Sequence, residues 1–144
     1  MQLSKRTQYG LRALICLADA YEHGYLQTRE LAQREKLPTK FLESILAALT
    51  RAKFLVSRIG ATGGYRLARP PKSISLEEIV TRLEGKRIME DEIPADAGER
   101  PGEVAVRVIQ ADLSDAIRER LSVMSLAQLA DRVAQHGRGQ MYYI

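Results

Sequence analysis

Two short helical patterns joined by a tight turn constrain the fold of this chain most strongly. The first pattern runs from about Thr28 to Glu35, and Thr28 is its expected N-cap. The second follows the turn EKLPTKF, where Pro38 is tolerated only outside a helix or in its first turn. Leu31 and Ala32 of the first pattern face the second across this turn. The spacing therefore predicts a helix–turn–helix, in which the first helix braces the second.

A glycine-rich hairpin is predicted directly after this unit. The residues FLVS at 54–57 suit a strand, GATGG suits a turn, and YRLA suits a returning strand. Arginines surround the turn, and ARPP closes the segment. As a nucleotide-binding loop the stretch lacks the GKS/T ending and a following helix. A helix–turn–helix followed by a hairpin is the winged-helix arrangement, so the alternative is a wing whose backbone approaches DNA phosphates.

Helical patterns occupy most of the remaining chain. One runs from Ser4 to about Tyr21 and ends near Gly24, and a capping box in SLEE opens another that ends near Gly85. A long pattern follows from Val104 to about Met124, and Ser125 caps a last short helix. We therefore predict a mainly α fold with a small β-hairpin. It divides into a winged helix-turn-helix domain (1–85), an acidic loop or linker (86–103) and a C-terminal dimerisation unit (104–144).

Charge is distributed unevenly between the two halves of the chain. Residues 1–87 contain 16 Lys and Arg against 8 Asp and Glu, a net charge of +8, whereas residues 88–144 carry a net charge of −4. A basic half indicates a polyanionic partner. The sequence shows no secretory signal and no transmembrane run, so a cytoplasmic protein is expected. A single cysteine and two distant histidines form no catalytic or metal-binding pattern. We therefore expect neither an enzyme nor a metal ion or cofactor.

The sequence resembles the Rrf2 family of bacterial winged-helix transcription regulators over nearly its whole length. The segments that carry the resemblance are LSKRTQYGLRAL, ELAQREKLPTKFLESIL, GGYRLARPP, DLSDAIRERL and SLAQLA, in that order. The resemblance implies a homodimer, held by the long C-terminal helix, that reads a palindromic operator in double-stranded DNA. It also implies that Glu43 reads bases, and a carboxylate can accept a hydrogen bond from cytosine N4.

Two features depart from the family pattern. The best-known relatives hold an iron–sulfur cluster with three cysteines and a histidine in or near the stretch matching residues 88–108, which here contains neither residue type. The family also tends to place an arginine just before the first wing glycine, where this chain has Ile59, with Arg58 one position earlier. Because neighbouring residues of a strand point to opposite faces, the role of that arginine does not transfer simply to Arg58.

The candidate DNA contacts lie on the starts of the helices, on the outer face of the third helix and on the hairpin. Each has a plain alternative as a solvated surface residue, a hairpin turn or, for Tyr9, a half-buried side chain. These candidates are Ser4, Lys5, Arg6, Tyr9, Thr28, Thr39, Lys40, Glu43, Ser44, Arg51, Ser57, Arg58, Gly60, Thr62, Gly63, Tyr65 and Arg66.

The apolar stripe of the long helix is the candidate dimer interface. A long helix beyond a linker has little sequence left to cover it, so pairing with its copy is the economical arrangement, and packing within its own chain is the alternative. The stripe comprises Ile109, Leu113, Ile117, Leu121 and Met124.

Other features leave the function partly open. Cys16 is expected to be a buried small residue, with a redox sensor as the alternative. The acids of 90–103 are expected to be solvated, with an effector or protein partner as the alternative. Lys36 occupies the turn position where glycine is usual, at a cost of about 1 kcal/mol for a left-handed backbone. The second functional hypothesis is a winged-helix protein-interaction module that has lost DNA binding. Activation and repression are both compatible with the sequence, and we expect repression.

Overall fold

The computed structural model of the chain, which describes residues 2–85, 98 and 100–141, has six α-helices and one two-stranded sheet in those residues. In chain order the elements are α1 (Lys5–Asp19), α2 (Thr28–Glu35), α3 (Thr39–Arg51), β1 (Leu55–Arg58), β2 (Gly64–Leu67), a 3-10 turn (Pro71–Ser73), α4 (Leu76–Glu84), α5 (Pro101–Ser122) and α6 (Leu126–Met141). This order confirms the predicted mainly α fold with a winged helix-turn-helix. None of the described helices is both long and apolar enough to cross a membrane.

The ends of the first two helices differ from the sequence prediction. Helix α1 ends at Asp19, before the predicted Tyr21, because Ala20 leaves the helical conformation and the next amides form tighter turns. The N-cap of α2 is Gln27 rather than Thr28, so that prediction is wrong. Gln27 has an extended backbone, and its N–H donates to the Glu30 carboxylate at 3.4 Å, which leaves Thr28 as the first helical residue.

The turn between α2 and α3 contains the predicted left-handed residue. Lys36 has φ 53° and ψ 51°, and the Leu37 N–H donates to the Ala32 carbonyl oxygen at 3.0 Å. This is the hydrogen bond with which a left-handed residue commonly closes a helix. Pro38 is the N-cap of α3, and Ser75 and Glu78 form the predicted capping box of α4.

The hairpin pairs β1 with β2 in an antiparallel register. Leu55 lies opposite Leu67 and Val56 opposite Arg66, and both leucines are buried. Leu26 forms an additional bridge to Tyr65 on the other side of β2, with N···O distances of 2.9 and 2.8 Å. The segment before α2 thus adds a third strand-like edge, which the sequence analysis did not predict.

The C-terminal part returns to the N-terminal elements. Helix α5 begins at Pro101, three residues earlier than predicted, and most of the predicted acidic loop lies outside the described residues. After α5, the Leu76 N–H donates to the Met124 carbonyl and the Leu126 N–H to the Ile74 carbonyl, both at 2.8 Å. Leu126 is fully buried in the same core as α1, α3 and α4, although its sequence position suggests the C-terminal unit.

Ser125 caps α6 as predicted, through its hydroxyl oxygen and the amide of Gln128 at 3.1 Å. Helix α6 extends over 16 residues and is therefore longer than the short helix expected. One core thus supports both the helix–turn–helix and the wing.

Candidate nucleic-acid interface

Helix α3 separates an apolar inner face from a polar outer face. Its inner side chains are fully buried, and they are Leu42, Ile45, Leu46 and Leu49. Its outer face exposes Thr39, Lys40, Glu43 and Ser44 on the first two turns. Within the described residues, neither Lys40 nor Glu43 forms a salt bridge, so both charges stay available to an external partner.

Arg51 lies further along α3, in its last turn. It is exposed, and it follows Ser44 by seven residues, or about 10 Å along the helix axis. A spacing of seven residues is close to two full turns, so Arg51 lies on the same side of the helix as Ser44. The outer face of α3 thus continues from the base-reading candidates to a cation suited to a phosphate.

Aromatic and ionic contacts fix the start of α3 against the preceding helices. The rings of Tyr9 and Phe41 meet edge to face, with centroids 5.4 Å apart, and the Arg12 guanidinium lies 5.7 Å from the centre of the Tyr9 ring. Arg12 also forms a 3.0 Å ion pair with Glu35 at the end of α2. The partly buried Tyr9 ring therefore braces α3, which is a structural role beside its predicted phosphate contact.

The beginning of α1 uses some of the groups predicted to meet phosphate. The Ser4 hydroxyl caps the Thr7 amide at 3.2 Å, and the Ser4 N–H donates to Glu84 at 2.6 Å. Lys5 is exposed and Arg6 is partly buried. The predicted backbone donor at Ser4 is therefore occupied, and Lys5 is the more accessible cation of this group.

The wing is held against the start of α2. The side-chain amide of Gln27 donates to the Ala61 carbonyl at the wing turn, at 2.8 Å. Gly64 adopts φ +128°, and a Cβ atom there would lie 2.3 Å from the Leu26 carbonyl oxygen. Gly64 therefore allows the close approach of two segments of the protein itself. From the sequence, the wing glycines were expected to allow close approach to the DNA backbone.

The predicted wing contacts fall into two groups. Ser57, Arg58, Gly60 and Thr62 are exposed. Gly63 is buried, its N–H donates to the Gly60 carbonyl at 3.0 Å, and a Cβ atom would lie 2.0 Å from the Arg58 carbonyl oxygen. The prediction of a DNA contact at Gly63 is therefore corrected to a structural role in the turn.

Tyr65 and Arg66 lie on opposite faces of β2. Tyr65 is partly buried and packs against the core, and its backbone pairs with Leu26, so its ring faces away from the outer surface of the wing. Arg66 is on the other face, beside Arg58 and close to Tyr25. Sequence reasoning missed Tyr25 and Gln27 because their contacts join segments more than 30 residues apart. The alternation of residues in YLQT before α2 is the only local signal for them.

Cys16 was expected to be buried but is only half-buried in α1. Its Sγ lies 3.8 Å from the Glu35 carboxylate, and burial, reinforced by that negative charge, raises its pKa to about 11. Iron–sulfur clusters are held by several cysteine thiolates, sometimes with histidine replacing part of the set. This chain has one cysteine, and the described residues contain no group of three His, Cys, Asp or Glu side chains placed to hold a metal. The residues present do not fit an iron–sulfur cluster.

The predicted dimer stripe is divided by the fold. Leu121 and Met124 pack against the core of their own chain, and Ile117 is partly buried. Ile109 and Leu113 are each 54% exposed. The exposed part of the stripe therefore lies in the first half of α5.

Comparisons with known proteins agree with this architecture. Residues 3–132 match the profile of the Rrf2 family, described as an iron-dependent transcriptional regulator. The transcriptional regulator CymR of Bacillus subtilis is 31% identical over the whole of both chains. Protein rrf2 of Nitratidesulfovibrio vulgaris is 30% identical over 90% of this chain and 87% of its own.

A solved structure extends the likeness to three dimensions. The structure of CymR, the global cysteine regulator of B. subtilis, matches with a TM-score of 0.79 and 32% identity, covering 92% of this chain and 98% of that one. The profile match, the full-length relatives and the shared fold lead to one conclusion. The chain belongs to the Rrf2 family and is a winged-helix transcriptional regulator rather than an enzyme.

Proposed function

We propose that this protein binds a palindromic operator in double-stranded DNA as a homodimer and acts in the cytoplasm. The observation that supports this most strongly is the combination of a polar outer face on α3 with a wing that carries two arginines. The exposed polar residues of α3, the exposed Arg58 and the partly exposed Arg66 are carried by elements that share one hydrophobic core, in the half of the chain with a net charge of +8.

The two parts of this surface suit different features of DNA. Helix α3 presents Lys40 and Glu43 on its first two turns, where a recognition helix reads base edges in the major groove. The wing and the start of α1 supply Arg58, Arg66 and Lys5, which suit phosphates and thereby set the register. Specificity comes from α3 and much of the affinity comes from the cations.

Helix α5 supports the homodimer. None of its 22 residues is buried, although it carries exposed apolar side chains that include Ile109 and Leu113. A second copy related by a two-fold axis would cover this surface and place two α3 helices for the two half-sites of a palindrome.

Titration of duplex DNA at a series of salt concentrations tests the proposal. A duplex enriched from a randomised library by the protein itself should bind with an affinity that falls steeply with salt. Lys40→Gln should weaken binding and reduce the slope of log K against log salt by about 1, because its ammonium group also neutralises about one phosphate charge when α3 lies in the major groove.

Lys72→Gln provides the matched control. Lys72 is also exposed, but it lines a groove with Val123, Met124 and Ala127 on the C-terminal side of the fold. The two variants lose the same charge, and only Lys40→Gln should change the slope. If no duplex is enriched and the protein does not bind random DNA at low salt, the proposal of a DNA-binding regulator fails. The hypothesis of a protein-interaction module then takes its place.

A further inference from the structure

Three side chains meet on the outer face of the wing. Arg66 lies opposite Val56, and Arg58 is two residues beyond Val56 on the same strand, so both arginines point to one face. Tyr25 precedes Leu26, which pairs with Tyr65, and this places Tyr25 on that face too. The buried leucines of the hairpin lie on the opposite face.

One aromatic ring contacts both guanidinium groups. The Cζ atom of Arg58 lies 4.4 Å from the centre of the Tyr25 ring, and that of Arg66 lies 5.2 Å away. Both distances are within the range of about 6 Å at which a cation is attracted to an aromatic face. Two like charges are therefore held near each other on a shared ring.

Neither arginine is neutralised within the described residues, where no salt bridge involves Arg58 or Arg66. Arg58 donates from Nη2 to the Thr62 carbonyl at 2.9 Å, which ties its side chain to the turn. The Arg66 Nε atom is buried without a hydrogen-bond partner. The pair thus keeps its full positive charge while its conformations are restricted.

The tip of the wing has a different character. Ile59, which occupies the position where the family tends to carry arginine, is 99% exposed. The positive charge of this wing is therefore displaced from the tip to its outer face, where Tyr25 lies beneath it. A cation pair on the side of a ribbon suits the phosphates that border a groove better than the base edges at its floor.

We propose that Tyr25 is a positioning residue that holds Arg58 and Arg66 as a paired phosphate clamp. This proposal rests on the proposed DNA-binding function. It implies that the affinity of the wing for DNA depends partly on Tyr25, a residue outside the hairpin. Ordering a long side chain on binding costs free energy, and a ring that orders two arginines in advance removes part of that cost for both.

Substitution of Tyr25 tests the clamp through affinity and salt dependence. Tyr25→Leu should weaken binding to the enriched duplex about tenfold, since two long side chains lose their order. Tyr25→Phe should bind within about twofold of the native protein, because the interaction needs the ring and not the hydroxyl group. Tyr21→Leu is the matched control, since Tyr21 packs against the core and its ring has no contact with Arg58 or Arg66 in the described residues, so DNA affinity should stay unchanged.

A double-mutant cycle separates positioning from a structural effect on the wing. Replacing both Arg58 and Arg66 by Gln should reduce the salt slope by about 2, and adding Tyr25→Leu to that variant should have no further effect. Equal binding by Tyr25→Leu and the native protein overturns the clamp. So does a loss that persists without the arginines. If the native protein itself binds no duplex, the proposed function fails, and the clamp fails with it.

Discussion

Helices α3 and α5 carry apolar residues of the same kinds but place them in opposite environments. In α3, four apolar side chains are fully buried and the outer face is polar. In α5, which is longer by nine residues, none is buried, and five large apolar side chains are at least 37% exposed. Helix α3 buries its apolar side chains within its own chain. The apolar side chains of α5 remain exposed, and contact with another protein surface would be needed to bury them.

The distribution of apolar residues along α5 sharpens this contrast. Val104, Val106, Val108 and Ile109 form a broad apolar face on the first half of the helix, and Glu103, Arg107 and Gln110 share the remaining side. A broad apolar helix face is normally packed against another protein surface. Within the described residues, the far end of α5 packs against the core through Leu121, so the exposed first half is the part that the proposed second copy would cover.

The largest expected effect comes from placing a charge on the exposed part of α5. Leu113→Glu should convert the homodimer to a monomer, because a carboxylate buried at the centre of an apolar interface is strongly unfavourable. Affinity for the palindromic operator should then fall at least about 100-fold, or about 3 kcal/mol, because the two half-sites are no longer bound together. Sedimentation and duplex titration measure the two losses.

Leu113→Met is the control, because it keeps the volume and the apolar character of the side chain. It should remain dimeric and bind DNA normally. Circular dichroism should show the same helicity for both variants, since Leu113 is 54% exposed within one chain. A dimer that survives Leu113→Glu would contradict the contrast between α3 and α5.

The next effect concerns the attachment of the wing to the rest of its domain. Gly64→Ala introduces a Cβ atom 2.3 Å from the Leu26 carbonyl oxygen at a residue with φ +128°. The backbone must shift, and the free energy of unfolding should fall by about 2–3 kcal/mol in denaturant titrations. Gly60→Ala is the comparison, since it has a similar φ of +117° but open space around it, and it should cost about 1 kcal/mol. Equal losses would show that the contact with Leu26 is unimportant.

Local features of the sequence were predicted better than contacts between distant segments. The helix order, the capping box at Ser75 and the left-handed Lys36 each depend on a few neighbouring residues, and each was predicted. The bridge from Leu26 to Tyr65 and the burial of Leu126 join segments 39 or more residues apart, and no local pattern reports them. The candidate site shows the same difference. The exposed face of α3 can be predicted from the helical spacing of its apolar residues, whereas the contacts of Tyr25 with Arg58 and Arg66 cannot.

A smaller effect tests the polar face of α3 as a base-reading surface. Glu43→Ala should relax discrimination at one base pair by about 1–3 kcal/mol, because the lost carboxylate accepts a hydrogen bond from a base amine. Selection from a randomised duplex library measures the preference at every position. Thr50→Ser, in the same helix but outside the candidate DNA contacts, is a control for general disturbance of α3. An unchanged preference in Glu43→Ala would exclude this role and leave Glu43 as a solvated surface residue.

The smallest expected effect lies at the turn that sets α3 against α2, and it has the opposite sign. Lys36 has φ 53° without being glycine, and its side chain is exposed. Lys36→Gly should therefore stabilise the fold by about 0.5–1 kcal/mol, the difference between relieved backbone strain and the greater freedom of glycine in the unfolded chain. Because this variant also removes a positive charge, Lys36→Gln is its matched control and should leave the free energy of unfolding nearly unchanged. If both variants have the same stability, the left-handed turn costs this protein nothing, and the geometry of the helix–turn–helix does not depend on the residue at this position.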